Sequence, residues 1–134
     1  EGTVELMVTR LRKVLSELTK DYEIIIVDDC SPDKSGQIAD RLAKKYRNIK
    51  VIHHKKNRGY GGALKSGFNA ATKDLIFYTD GDAQYDVSEL KKLMKYIDDY
   101  DFVTGIKIKR SDKLYRVLVS RIYYETLKLF FGIF

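Results

Sequence analysis

At 134 residues the chain has room for one domain around one core, and not for two. Its 44% hydrophobic and 33% charged residues are those of an ordinary globular protein, and no stretch reaches the roughly 18 apolar residues of a membrane span. The net charge of +6 favours an anionic partner, whether phosphate, nucleic acid or an acidic membrane surface, although the basic residues are spread along the chain. Cys30 is the single cysteine, which rules out an intrachain disulfide and fits a reducing compartment such as the cytoplasm.

In chain order, Val4, Met7, Val8, Leu11, Val14, Leu15 and Leu18 recur at helical spacing. "EIIIV", Glu23 to Val27, is continuous and β-branched, the pattern of a strand covered on both faces in a parallel sheet. "DDCSPD" is a turn, in which Asp33 or Ser35 is placed to cap the following helix, marked by Ile38, Leu42 and Tyr46. "IKVIHH" predicts a short strand, and "KKNRGYGG" a basic, glycine-rich loop before a helix carrying Ala63, Leu64, Gly67, Phe68 and Ala71. "DLIFYT", Asp74 to Thr79, predicts a third strand, with "DGDAQYD" as the loop at its carboxyl end. Val87, Leu90, Leu93, Met94 and Ile97 mark another helix, "DFVTG" a fourth strand, and Leu114 to about Phe131 a final helix. Alternating strands and helices predict one α/β domain over residues 1–134, a mainly parallel sheet flanked by helices.

In such sheets ligands sit beyond the carboxyl ends of the strands. Two acidic loops fall there: Asp28-Asp29, and Asp80 to Asp86. Crowded carboxylates have raised pKa values unless a cation neutralises them. Asp80 and Asp82 can face one hard cation, and Gln84 continues the spacing with a neutral oxygen. Asp86 is better read as a helix cap. A calcium loop is excluded, because counting from Asp80 its required Gly and Glu fall on Tyr85 and Lys91. In "NRGYGGALKS" the phosphate-loop and dinucleotide patterns both need a Gly where Leu64 stands. What remains is a flexible loop beside Lys55, Lys56 and Arg58, equally suited to approach an anion or to make a tight turn.

Together, "IIIVDDCSPD" and "NRGYGGALKSGFNAATKDLIFYTDGDAQYD" resemble the nucleotide-sugar glycosyltransferases of family 2, with the GT-A fold. The first is similar to the family's strand followed by "DDGSxD". The second is similar to its run "NxGxgxAxxxGxxxAxGdxixfxDaDxQ". Within the family, "GIKIKRSDKLYRVLVSRIYYETLKLFFG" resembles the polyprenyl-phosphate branch, which includes dolichyl-phosphate enzymes.

The resemblance implies that Asp80 and Asp82, with Gln84, hold Mg²⁺ or Mn²⁺ against a donor diphosphate. It also implies that Asp28 and Asp29, with Val27 beside them, contact the nucleoside. Gly59 and Gly81 join these nucleotide-sugar contacts. Arg116 corresponds to a basic residue on phosphate, and it and Asp82 are the implied catalytic pair. Lys107 stands where relatives often carry Arg, keeping the charge without the bidentate fork. Cys30 replaces a Gly and is read as a small filler.

The family's first strand, "SVVIPxYNEE", and a segment after the last helix have no counterpart here. A fragment is therefore expected, with an exposed sheet edge through which copies could associate. The implied activity is inverting transfer of a sugar from a GDP- or UDP-sugar to a polyprenyl phosphate at the membrane face. Leu114, Val117, Leu118, Ile122, Leu127, Phe130, Phe131 and Phe134, among basic residues, suit either an interfacial helix or an ordinary packing helix. The competing reading is a receiver-like signalling module that binds Mg²⁺ and phosphate, suggested by "IIIVDD". It is disfavoured because a helix precedes that strand and the second strand ends in "HH". A nucleic-acid binder is disfavoured by the lack of a recognition motif.

Overall fold

The computed structural model describes residues 2–105 and 114–131. The chain divides into two compact units, Glu1–Val103 and Thr104–Phe134.

In the first unit, α1 (Gly2–Leu18) leads into β1 (Ile24–Asp28), α2 (Ser35–Lys45), β2 (Ile49–His53) and α3 (Gly59–Ala70). β1 and β2 pair in parallel, from Ile24 opposite Ile49 to Asp28 opposite His53, with α2 as the crossover. A parallel connection needs such a crossover, and its helix must cover one face of the sheet. α1 is apolar on two adjoining sides. Val8 joins Ile24, Leu42 and Ile49 in a core under the sheet, while Met7 and Val14 join Val87 and Leu90 in a second. Burying each such side chain contributes about 1.5–3 kcal/mol, so α1 is the element that links both cores. Gly67 brings α3 against β1: a Cβ there would lie 3.4 Å from Val27 Cγ2.

Asp86 caps the next segment by accepting the Ser88 N–H at 2.9 Å. The single helix expected there is a 3₁₀ turn (Val87–Glu89), one α turn, α4 (Leu90–Leu93), and a second 3₁₀ turn (Met94–Tyr96). In 3₁₀ geometry residues three apart eclipse, and Val87 and Leu90, three apart, are the pair buried against α1.

Two predicted strands are corrected. Asp74 to Thr79 and Asp101 to Gly105 have no regular secondary structure, and the sheet has two strands among the described residues. β-propensity reports how well a residue fits a pleated, half-buried surface. Here no neighbouring strand supplies one. Leu75, Ile76, Phe77 and Tyr78 are all exposed, so the alternation of a paired strand is lost. Direction is nevertheless kept at both ends of the segment. Glu23, just before β1, accepts the Thr72 N–H at 2.6 Å and the Thr72 hydroxyl at 2.8 Å. At the other end Tyr78 meets Phe68 edge to face, with ring centroids 5.8 Å apart.

In the second unit the expected helix is present as α5 (Leu114–Phe131). Leu118, Val119, Ile122, Tyr123 and Phe130 are exposed along it. Among the described residues no helix is long and apolar enough to cross a membrane.

Cys30, in the turn after β1, has φ +63°. The glycine of the resembled pattern thus answers a backbone requirement at this position, and not only a limit on size. A Cβ in the left-handed region costs about 1–2 kcal/mol, partly offset by the entropy a Gly loses on folding. Cys30→Gly is expected to stabilise the chain by about 0.5–1 kcal/mol in urea unfolding. Cys30→Ala, which keeps the Cβ, is expected to give no gain.

Candidate functional site

The last residues of β1 and β2 build the site. Successive side chains of a strand point to opposite faces, so the pairs Asp28-Asp29 and His53-His54 are divided between the two sides of the sheet.

On the α2 side, His53 Nδ1 lies 2.9 Å from Asp28 Oδ2 and its Nε2 2.9 Å from Asp40 Oδ1. Asp28 Oδ1 accepts the Ser31 N–H at 3.0 Å. α2 can approach because residue 36 is glycine: a Cβ there would fall 2.5 Å from Asp28 Oδ2. Asp33 accepts the Ser35 N–H at 2.9 Å, and the Ser35 hydrogen bonds hold its carboxyl down at about 2. Burial alone would push Asp28 up, but the hydrogen bonds from Ser31 and His53 together hold it below the ordinary value. Hydrogen bonds to Asp40 and then Asp28 raise His53 above 6.5.

On the α3 side, His54 is buried. Its Nδ1 lies 2.6 Å from Asp29 Oδ1, and its Nε2 2.8 Å from Ser66 Oγ. Asp29 Oδ1 also accepts the Arg58 N–H at 2.8 Å. The hydrogen bond from His54, then that from Arg58, keep Asp29 below its ordinary pKa. Gly59 follows at φ +73°, a conformation that glycine adopts without strain. It turns the chain into α3, so Lys55, Lys56 and Arg58 stand exposed beside Asp29.

The acidic loop reaches the same end of α3. Tyr60 is raised by partial burial and then by the negative charge of Asp80, and it shares a hydrogen bond with Tyr78. Asp82 Oδ1 accepts the Gln84 N–H at 3.0 Å across Ala83, whose φ is +61°. A Cβ on Gly81 would meet nothing within 4 Å.

Asp29, Gly59 and Asp80 therefore gather at the amino end of α3, with Asp28 on the opposite side of the sheet. Val27 packs on α3 at Gly67. Arg116 falls on α5, in the second unit, and its side chain lies outside the described residues, as does Lys107 altogether. His53, His54, Asp40 and Ser66 are absent from the residues the sequence nominates. Their signal was available: two carboxylates end one strand, and two imidazoles end its expected parallel neighbour.

Among the described residues no three His, Cys, Asp or Glu side chains gather into a metal-binding group. Asp80 and Asp82 are hard oxygen donors, the type that Mg²⁺ takes.

A mixed α/β unit with a parallel strand pair flanked by helices is consistent with the GT-A fold of the resembled family. The glycosyl transferase family 2 profile matches residues 4–132, and the chain belongs to that family. It is 36% identical over 124 residues to the undecaprenyl-phosphate 4-deoxy-4-formamido-L-arabinose transferase of Photorhabdus laumondii, covering 91% of this chain and 38% of that protein. The enzymes of the same name from Serratia proteamaculans and Yersinia enterocolitica are 34% and 32% identical, over 87% and 90% of this chain. The chain spans 36–38% of the length of these curated relatives.

The charge states fix how stability depends on pH. The contribution of His53, whose value is raised, is whole below 6.5 and is lost as pH rises through that raised value. Asp28 and Asp29, whose values are lowered, contribute above 3.8 and lose their contributions as pH falls through the lowered values. Stability from these groups is thus greatest between 3.8 and 6.5. Followed by NMR, the His53 ring is expected to titrate above 6.5. Asp40→Asn, which removes its stronger partner, is expected to bring that midpoint down.

Proposed function

We propose that the chain carries the donor-binding part of an enzyme that transfers a sugar, with inversion, from a nucleoside-diphosphate sugar to a polyprenyl phosphate. The observation that carries this reading is the family match over residues 4–132, joined by relatives named as undecaprenyl-phosphate sugar transferases. The grouping of Asp29, the Gly59 turn and Asp80 around the amino end of α3 supports it.

Asp29 is suited to accept hydrogen bonds from the nucleoside, with Asp28 supporting the turn behind it. The amino end of α3 carries unpaired N–H groups and a partial positive charge. With Lys55, Lys56 and Arg58 it suits the diphosphate. Asp80 and Asp82, with Gln84, would hold Mg²⁺ or Mn²⁺, which when bound neutralises charge on the departing diphosphate. By the family resemblance alone, Arg116 and Lys107 would add positive charge on the same group.

In the transfer, an acceptor phosphate oxygen forms a bond to the anomeric carbon. The bond from that carbon to the diphosphate breaks, and its electron pair leaves with the nucleoside diphosphate. A lipid phosphate is largely ionised near pH 7, since phosphate monoesters have a second pKa of about 6. It can attack without a protein base, so the described residues need only bind, orient and neutralise. The exposed apolar side of α5, flanked by Arg121 and Lys128, suits contact with an anionic membrane surface at which that acceptor resides.

In isothermal titration of the full chain with UDP or GDP, Asp80→Ala or Asp82→Ala is expected to weaken Mg²⁺- or Mn²⁺-dependent binding about tenfold or more. Asp86→Ala is expected to lower stability by about 1 kcal/mol and leave binding unchanged. Equal nucleotide affinity with and without metal would overturn the role given to Asp80 and Asp82.

A further inference from the structure

Asp29, His54, Ser66 and Arg58 form a closed ring, and its direction can be read from the chemistry. Asp29 is held below its ordinary pKa, so its carboxylate can only accept. His54 Nδ1, 2.6 Å away, must therefore carry the proton. His54 Nε2 lies 2.8 Å from Ser66 Oγ, and with Nδ1 donating to Asp29 the hydroxyl is able to donate to Nε2. Ser66 Oγ in turn accepts from Arg58 Nη1 at 3.5 Å, a long contact. Arg58 closes the ring through its backbone N–H, which donates to Asp29 at 2.8 Å. Two of these contacts, from His54 Nδ1 and the Arg58 N–H, meet at one atom, Asp29 Oδ1. The second carboxylate oxygen is held by neither His54 nor Arg58.

Each member comes from a different element: the turn after β1, the end of β2, the glycine loop and the middle of α3. His54, the member joining the sheet to the helix, is the buried one, with its side chain 5% exposed. A buried imidazole with both nitrogens partnered has one orientation available, since turning it would leave two polar atoms unpaired.

We propose that His54, oriented by Ser66, is a positioning residue that holds the Asp29 carboxylate for the nucleoside half of the donor and ties it to the loop that meets the diphosphate. The inference rests on the donor-binding reading above. An Asp–His–Ser chain also invites comparison with a hydrolytic triad. Ser66 is unsuited to that role, because it sits in mid-helix next to Gly67, which packs on Val27, and its oxygen already accepts from Arg58.

The test separates nucleoside from phosphate recognition in the full chain with Mg²⁺ present, using UDP, GDP and inorganic pyrophosphate as probes. His54→Phe removes the donor to Asp29, and Ser66→Ala releases the imidazole. Both are expected to weaken binding of the preferred nucleotide about three- to tenfold, the loss of one hydrogen bond's worth of placement, and to weaken pyrophosphate binding less. His54→Asn keeps an N–H near the Nδ1 position and is expected to retain more affinity than His54→Phe. If His54→Phe does not fold, Ser66→Ala decides the matter alone. Unchanged nucleotide affinity in a folded variant would overturn the proposal. So would equal losses for nucleotide and pyrophosphate, the mark of general disruption. Asp29→Ala is the reference: if it too leaves nucleotide binding intact, the donor-binding reading fails and not merely the role of His54.

Discussion

Two carboxylate–imidazole contacts close the carboxyl ends of the strand pair, and the arrangement of the site depends on them. Asp28 with His53 faces α2, and Asp29 with His54 faces α3. A two-stranded parallel sheet has little hydrogen bonding of its own. These contacts extend the pairing one step further, and the backbone agrees, since the His54 N–H donates to the Asp28 carbonyl at 2.9 Å. The same groups that stiffen the sheet end thus carry the negative charge placed beside the glycine turn.

Around that centre the remaining elements act as supports. α1 supplies apolar side chains to both cores, and so links the sheet to the segment that follows the acidic loop. Lys50 and Thr72 meet at Glu23, whose carboxyl is held at about 2 by Lys50 first and then by Thr72. The clamp fixes where the chain leaves α3. Ion pairs of Lys73 with Asp21 and Lys91 with Glu17 lie at the surface, where each is worth less than about 1 kcal/mol. Position in this unit is therefore set mainly by burial and by short hydrogen bonds to carboxylates.

Much of this was legible in the sequence. Periodicity gave α1, α2 and α3 because each has an apolar stripe answered by packing or by the sheet. Glu23 to Val27 was readable as a strand because its continuous apolar run does meet a neighbour. Asp74 to Thr79 is likewise an apolar run behind an acidic residue but lacks that neighbour, and the sequence alone cannot distinguish the two. The acidic and glycine loops were legible from motif spacing. The histidines were not, because neither lies in a motif and their importance arises only from the register that sets Asp28 opposite His53. Cys30 was misjudged for a related reason: a sequence shows the size of a side chain but not the sign of φ.

That register also bears on how the chain avoids misfolding. A slip of one residue between β1 and β2 turns every side chain of the shifted strand to the other face. Ile49 would leave the core it shares with Ile24, and in the same step His53 and His54 would exchange sides and lose Asp40 and Ser66. An error in pairing is thus penalised twice, by exposed hydrocarbon and by loss of the hydrogen bonds the two imidazoles make. The polar cluster acts as a proofreading device for strand alignment, and it discriminates most when apolar patterning is least informative, in a run of three consecutive isoleucines that would tolerate either face.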